Sequence, residues 1–168
     1  MLKHQFKKTF LQAAFKEAHK ALDLDEVPVG AVIVHDQKII GRGHNQVLHE
    51  NSVFAHAEIQ AINDASRTIK NYRLVDCEIY VTLEPCHMCA KAIIDARITN
   101  LYFSALEPKT GSVISIDNFL NKAFHNHKVK FSYGYNENLS SSLLKKFFLA
   151  KRKKSKTVKK VENTNVSL

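Results

Sequence analysis

The sequence lacks the features of a membrane protein, a secreted disulfide scaffold or a repeat array. No apolar run in its 168 residues reaches the ~20 that a helix needs to cross a bilayer. The opening stretch, Met1-Leu2-Lys3-His4-Gln5-Phe6-Lys7-Lys8, starts an amphipathic pattern and does not read as a signal peptide. Three cysteines suggest no disulfide framework, so a reducing cytoplasm is expected. No segment repeats, and no low-complexity linker appears before the C-terminal end. Acidic residues are scarce in one region. From Lys145 to Leu168 nine Lys/Arg stand against one acid, Glu162, a local charge of +8. The other 144 residues carry 16 basic and 15 acidic side chains, so the net charge of +9 is a C-terminal property. Clustered basicity of this kind suits a polyanion, nucleic acid first. A solvated tail without a partner is the alternative for the residues after Lys154.

What is present suits one folded domain. A hydrophobic fraction of 45% over this length gives a sizeable core. Phe6, Phe10, Ala13 and Ala14 follow helical spacing and predict a first helix to about Ala21. Residues 29–34 and 38–41 predict two strands around the turn 35–37. The first of these is almost wholly apolar and should be buried on both faces. A polar loop, 45–52, leads to a helix beginning near His56. Then come a strand over 77–81, a helix from Cys86 to Ala96 and a strand over 98–103. A loop at 107–112, a last strand over 127–133 and a final helix from Glu137 to about Lys154 complete the pattern. Strands alternating with helices predict an α/β fold with parallel crossovers. The expected division is a domain over 1–154 and a basic, disordered tail over 155–168.

Two short motifs carry the chemistry. His56-Ala57-Glu58 supplies an imidazole and a carboxylate. Pro85-Cys86-His87-Met88-Cys89 supplies two thiols one helical turn apart. Catalytic zinc takes three protein ligands and leaves a position for water. His56, Cys86 and Cys89 are the natural three, and Glu58 is then free to move protons as the catalytic residue. Pro85 suits the first turn of a helix, and a helix start favours thiolate over thiol. A redox Cys-x-x-Cys pair would have no need of the upstream His-x-Glu. His87 points away from the pair and stays outside the metal shell. His125 and His127 have strand spacing for a second metal pair, but no acidic or thiol partner stands near. They read as a polar strand end. Cys77 reads as a buried strand residue.

The order H-x-E…P-C-x-x-C resembles that of the zinc-dependent base deaminases. Glu26-Val27-Pro28-Val29-Gly30, Asn71-Tyr72-Arg73-Leu74, Lys109-Thr110-Gly111 and Phe147-Phe148 narrow the likeness. From about Phe6 to Phe148 the chain resembles the bacterial tRNA adenosine deaminases of the TadA type. That resemblance implies a three-layer α/β/α cytidine-deaminase-like fold around a mixed sheet of about five strands. It implies one zinc ion per chain, a homodimer, and hydrolysis of the wobble adenosine of a tRNA anticodon, of an arginine tRNA, to inosine. The partner is the anticodon stem-loop; neither a membrane nor DNA is expected. Substrate contacts are implied for Asn45, Ala57, Glu107, Lys109 and Phe148. The chain departs from the pattern at Glu107, where relatives often carry Asp, and at His87, where an apolar residue is common. Two other functions share the metal residues: a deaminase of a small nucleoside, nucleotide or base, and an inactive zinc-bearing RNA-binding subunit. The basic C-terminus speaks against the first and Glu58 against the second.

Overall fold

The computed structural model describes residues 6–165, with side chains described through residue 156. The opening pattern at Met1 to Gln5 lies outside the described residues. The chain runs α1 (Lys8–Asp23), β1 (Gly30–His35), β2 (Lys38–His44), α2 (Ala57–Ile69), β3 (Glu78–Leu83), α3 (His87–Asp95), β4 (Asn100–Ala105), a 3-10 turn (Phe119–Asn121), β5 (Lys130–Tyr133) and α4 (Glu137–Asn165).

The five strands form one mixed sheet in the order β2-β1-β3-β4-β5. β1 is antiparallel to both β2 and β3, while β3, β4 and β5 are parallel. β2, β3, β4 and β5 therefore all point the same way, and their carboxyl ends share one edge of the sheet. The start of β1 meets them there. That edge is where an open α/β sheet presents a crevice.

Alternation along the strands builds two apolar layers. Ala31, Ile33, Ile79, Val81, Leu101 and Phe103 face α2 and α3. Val32, Val34, Tyr80 and Tyr102 face Leu11, Ala14 and Phe15 of α1. β1 is thus buried on both faces, as its apolar run requires. The α/β class matches the reading of the residues, and the three layers and mixed sheet match what the resemblance implied.

β2 is longer than its hydrophobic pattern suggests, continuing through Gly41-Arg42-Gly43-His44. The glycines break the pattern because α2 lies directly on them. A Cβ on Gly43 would stand 2.2 Å from the Ala57 carbonyl oxygen, and one on Gly41 2.4 Å from that of Ala61. Only glycine permits this approach of helix to strand.

Two other expectations are corrected. Residues 127–129 precede β5 and are not strand, because His127 bonds through Nε2 to the Ile98 carbonyl oxygen at 2.8 Å. α4 continues to Asn165, past the end near Lys154 that its apolar positions indicated. The structure gives no reason in apolar spacing for this continuation, since the segment is rich in Lys and carries no apolar stripe in its sequence.

Candidate active site

The candidate metal ligands occupy helix starts. His56 caps α2 and Cys86 caps α3, with Cys89 in the first turn of α3. The two N-termini converge at the carboxyl edge of the sheet, below β3. His56 Nδ1 lies 3.7 Å from Cys86 Sγ and 3.5 Å from Cys89 Sγ. All three donor atoms fall within 4.8 Å of one another, and they form the one group of this kind among the described residues. A tetrahedral ion held at ~2.3 Å by sulfur and ~2.0 Å by nitrogen places its donors about 3.6 Å apart. The donor set therefore fits a metal without rearrangement.

The electrostatics agree with a site that holds thiolate. The Cys86 thiol is pulled down to about 4, first by its hydrogen bond with Cys89 and, against its burial, by His56. Cys89 is pushed up by sharing that bond and by burial. The His56 imidazole is raised by Cys86. Glu58, in the first turn of α2, is 4% exposed. Burial raises its carboxyl to about 7, so it can take up and release a proton near neutrality.

A cavity of about 550 Å³ opens above these groups. His56, Glu58 and Cys86 form its floor, and Asn45, Glu107 and Phe148 stand on its walls. Its size is that of a small-molecule or nucleobase site. Each wall follows from the topology: Asn45 comes after β2, Cys86 after β3, Glu107 after β4, and Phe148 from α4 after β5. Asn45 has a structural task as well. Its Oδ1 accepts the Ala57 N–H at 2.9 Å, which leaves the side-chain amide NH2 as its free donor. Ala57 itself is fully buried at the start of α2. Lys109 stands off the cavity lining on an exposed turn, and its backbone N–H donates to Glu107 Oε1 at 3.0 Å.

His87 takes no part in the donor set. Its ring lies edge-on to Phe119, and Nε2 is 3.6 Å from Asp117 Oδ2. His125 bonds to the Phe119 carbonyl oxygen at 2.9 Å, so it and His127 serve separate carbonyls and form no second metal pair.

Among the buried carboxylates that escaped the reading of the residues, two shape the loops around the site. Glu26 accepts the N–H groups of Leu48 and His49 at 2.6 and 2.8 Å and so shapes the loop after β2. Glu84 accepts four backbone N–H groups, from Glu107, Val113, Ile114 and Ser115, at 2.7–3.0 Å, and the Ser115 hydroxyl. Burial opposes its charge, but the Ser115 hydroxyl and these N–H donors outweigh burial and hold its carboxyl below the ordinary value. Gly111 is forced by this arrangement, since a Cβ there would sit 2.4 Å from the Glu84 carboxyl carbon. The only sequence signal for either residue was its place inside a family-specific segment.

Comparison with known proteins follows the same line. The MafB19-like deaminase family model matches residues 5–152. The chain is 45% identical over 142 residues to a tRNA-specific adenosine deaminase of Aquifex aeolicus, covering 84% of this chain and 93% of that protein. It is 41% identical over 150 residues to one of Streptococcus pyogenes, covering 89% of this chain and 88% of that protein. The chain belongs to the tRNA-specific adenosine deaminase family. A structure solved in a study of A-to-I editing at the wobble position of transfer RNA superposes with a TM-score of 0.80 at 41% identity, covering 82% of this chain and all of that one. A guanine deaminase from Bacillus subtilis superposes at 0.59 with 33% identity, covering 76% and 85%. The family fold thus accommodates both an RNA base and a free base. The cavity at the carboxyl edge is the candidate site for that chemistry in this chain.

Proposed function

We propose that the protein hydrolyses the wobble adenosine of a tRNA anticodon to inosine, with zinc bound by His56, Cys86 and Cys89. The observation that carries this reading is the buried Glu58 beside a His/Cys/Cys donor set on the floor of a base-sized cavity. Two thiols and one imidazole form a donor set that suits zinc. When bound, zinc acts as a Lewis acid and lowers the pKa of a water molecule from that of bulk water toward ~7.

The chain's own residues do the rest. Glu58 takes a proton from the attacking water and delivers it to N1 of the adenine as the oxygen adds to C6. Glu58 next takes the remaining proton of the hydroxyl added at C6 and passes it to the exocyclic amine; the C6–N bond breaks as the C6 carbonyl forms, and ammonia leaves. Burial at the cavity floor favours the protonated carboxyl, which suits a group that both takes up and returns protons. Asn45 offers its free amide N–H to the purine edge. The Ala57 N–H, spent on Asn45, keeps that side chain oriented. Glu107 and Lys109 border the path of the flanking nucleotides, and the half-exposed Phe148 is placed to stack on a base. A base in a single-stranded loop is already out of a duplex, which lowers the unstacking cost of a few kcal/mol.

The substrate in this reading is an anticodon stem-loop, of an arginine tRNA, and DNA is not used. The deaminase domain spans 1–154, and residues 155–168 are a basic extension. The active form is a homodimer in the cytoplasm. Among the described residues no helix is long and apolar enough to cross a membrane. The test is incubation of purified protein with the arginine stem-loop, free adenosine, cytidine and guanine, with inosine, uridine, xanthine and ammonia measured. Inosine in the stem-loop with poor turnover of the free compounds is expected, because remote RNA contacts position the base. Efficient turnover of cytidine or guanine with the stem-loop untouched overturns the reading.

A further inference from the structure

Beside the catalytic cavity lies a smaller hollow of about 210 Å³. Its walls are Leu22 and Asp25, at and after the end of α1, and Lys146, Lys151 and Lys154 on α4. Phe147 and Lys151 line both this hollow and the catalytic cavity. Three ammonium groups share the space with one carboxylate, so positive charge is in excess. Lys151 Nζ lies 2.9 Å from Asp25 Oδ2, and Lys154 Nζ 3.8 Å from the same oxygen. Lys151 also stands over the Phe147 ring, 5.3 Å from its centre.

The two sides of this contact differ in mobility of design. Asp25 is held by its backbone, in the left-handed region at φ 59, with its N–H bonded to the Leu22 carbonyl oxygen at 3.0 Å. The next residue, Glu26, is buried and bonded to the loop after β2. The lysines reach Asp25 on long flexible stems. Both partners stay open to solvent, the Lys151 side chain being 35% and the Asp25 side chain 61% exposed. A pair so exposed contributes little to stability, so another anion can replace the carboxylate.

We propose that this hollow is a phosphate subsite of the active centre, and that Asp25 is the internal anion which a substrate phosphate displaces from Lys151 and Lys154. The ligand is a backbone phosphodiester beside the nucleotide whose base enters the cavity. The proposal rests on the RNA reading given above. A phosphodiester presents one negative charge and two free oxygens, which two ammonium groups can share. Lys151 stands where the two hollows meet, so an anion held there lies next to the base site. A free nucleoside has no phosphate and leaves the Asp25 pair intact. The exchange thus adds discrimination between a base in a nucleic acid and a base alone.

The test is fluorescence anisotropy over a range of KCl concentrations with two labelled probes. One is the anticodon stem-loop; the other is a single-stranded RNA pentamer without adenosine. The proteins are wild type, Asp25→Asn, the pair Lys151→Gln with Lys154→Gln, and the three changes together. Asp25→Asn should bind both RNAs about two- to fivefold more tightly, the range expected for freeing an exposed pair. Its log–log salt slope should steepen by up to ~0.7 for each phosphate newly neutralised. The lysine pair should bind more weakly, and in the triple variant the gain from Asp25→Asn should vanish. A gain that persists in the triple variant reflects net charge alone and overturns the proposal. So does unchanged or weaker binding by Asp25→Asn. Inosine formation by wild type is scored separately: its absence overturns the RNA-adenosine reading, while the pentamer still decides the hollow.

Discussion

The floor of the catalytic cavity and its α4 wall are built on opposite principles. On the floor every group is fixed by buried contacts. His56 caps α2, which lies directly on the backbone of β2, Cys86 caps α3, and Glu84 gathers five donors around the loop that borders Cys86. On the α4 wall, Lys151 and Lys154 are held by an exposed carboxylate, and Phe148 is 45% exposed. Chemistry needs donors fixed to a fraction of an ångström, which buried hydrogen bonds provide. Recognition of a long, charged substrate tolerates side chains that adjust and exchange partners. The same cavity thus has a rigid half and an adaptable half.

The comparison breaks most severely at the metal ligands. Cys86→Ser should abolish turnover, lose zinc and lower the melting temperature, since metal binding contributes to folding free energy. Metal analysis and thermal melts read both effects. Full zinc occupancy in this variant would remove Cys86 from the donor set. Glu58→Ala comes next. It should retain zinc and RNA binding but lose a factor of about 10²–10⁴ or more in single-turnover rate, because one group serves two proton transfers.

Glu84→Gln should loosen the rigid half without touching the metal. Removing the charge weakens each bond from a buried donor, at about 1–3 kcal/mol for a donor left unpaired. The sign of the pH effect follows from the depressed carboxyl of Glu84. Its contribution to stability is complete above the unfolded carboxylate value near 4.3 and is lost as pH falls through the lower folded value. In urea titrations the gap between wild type and Glu84→Gln should therefore be constant at neutral pH and close below pH ~4. A gap that widens in acid would contradict this account. The smallest effect belongs to the adaptable half: Phe148→Ala should weaken stem-loop binding by about 1–3 kcal/mol if the ring stacks, with the melting temperature unchanged. Direct titration checks this, and unaltered affinity would leave Phe148 a bystander.

Much of the rigid half was legible because its chemistry requires particular side chains. Imidazole and thiols at metal-ligand spacing, with a carboxylate two residues after the imidazole, marked His56, Cys86, Cys89 and Glu58, and the resemblance to the base deaminases supplied their expected roles. The alternation of apolar strands and helices likewise gave the α/β layers. What stayed hidden was written in backbone contacts. The second half of β2 was missed because Gly41 and Gly43 show an approach of α2 and not a hydrophobic face. Glu26 and Glu84 were given no role because their partners are main-chain N–H groups, which every residue possesses. Lys109 and Glu107 belong to one turn, yet only Glu107 lines the cavity, a distinction set by turn geometry. The length of α4 was hidden for a different reason: its outer part has no apolar stripe to mark an end.

The contact of Gly43 with the Ala57 carbonyl has a bearing on how such an enzyme could be redirected. Helix and strand there leave no room for even a methyl group, so this seam offers no position at which a substitution could reshape the pocket floor. Any change of target must come from the rim: the segments after β2 and β4, and α4 itself. A library confined to those segments would explore new substrates while leaving the hydrolytic apparatus untouched.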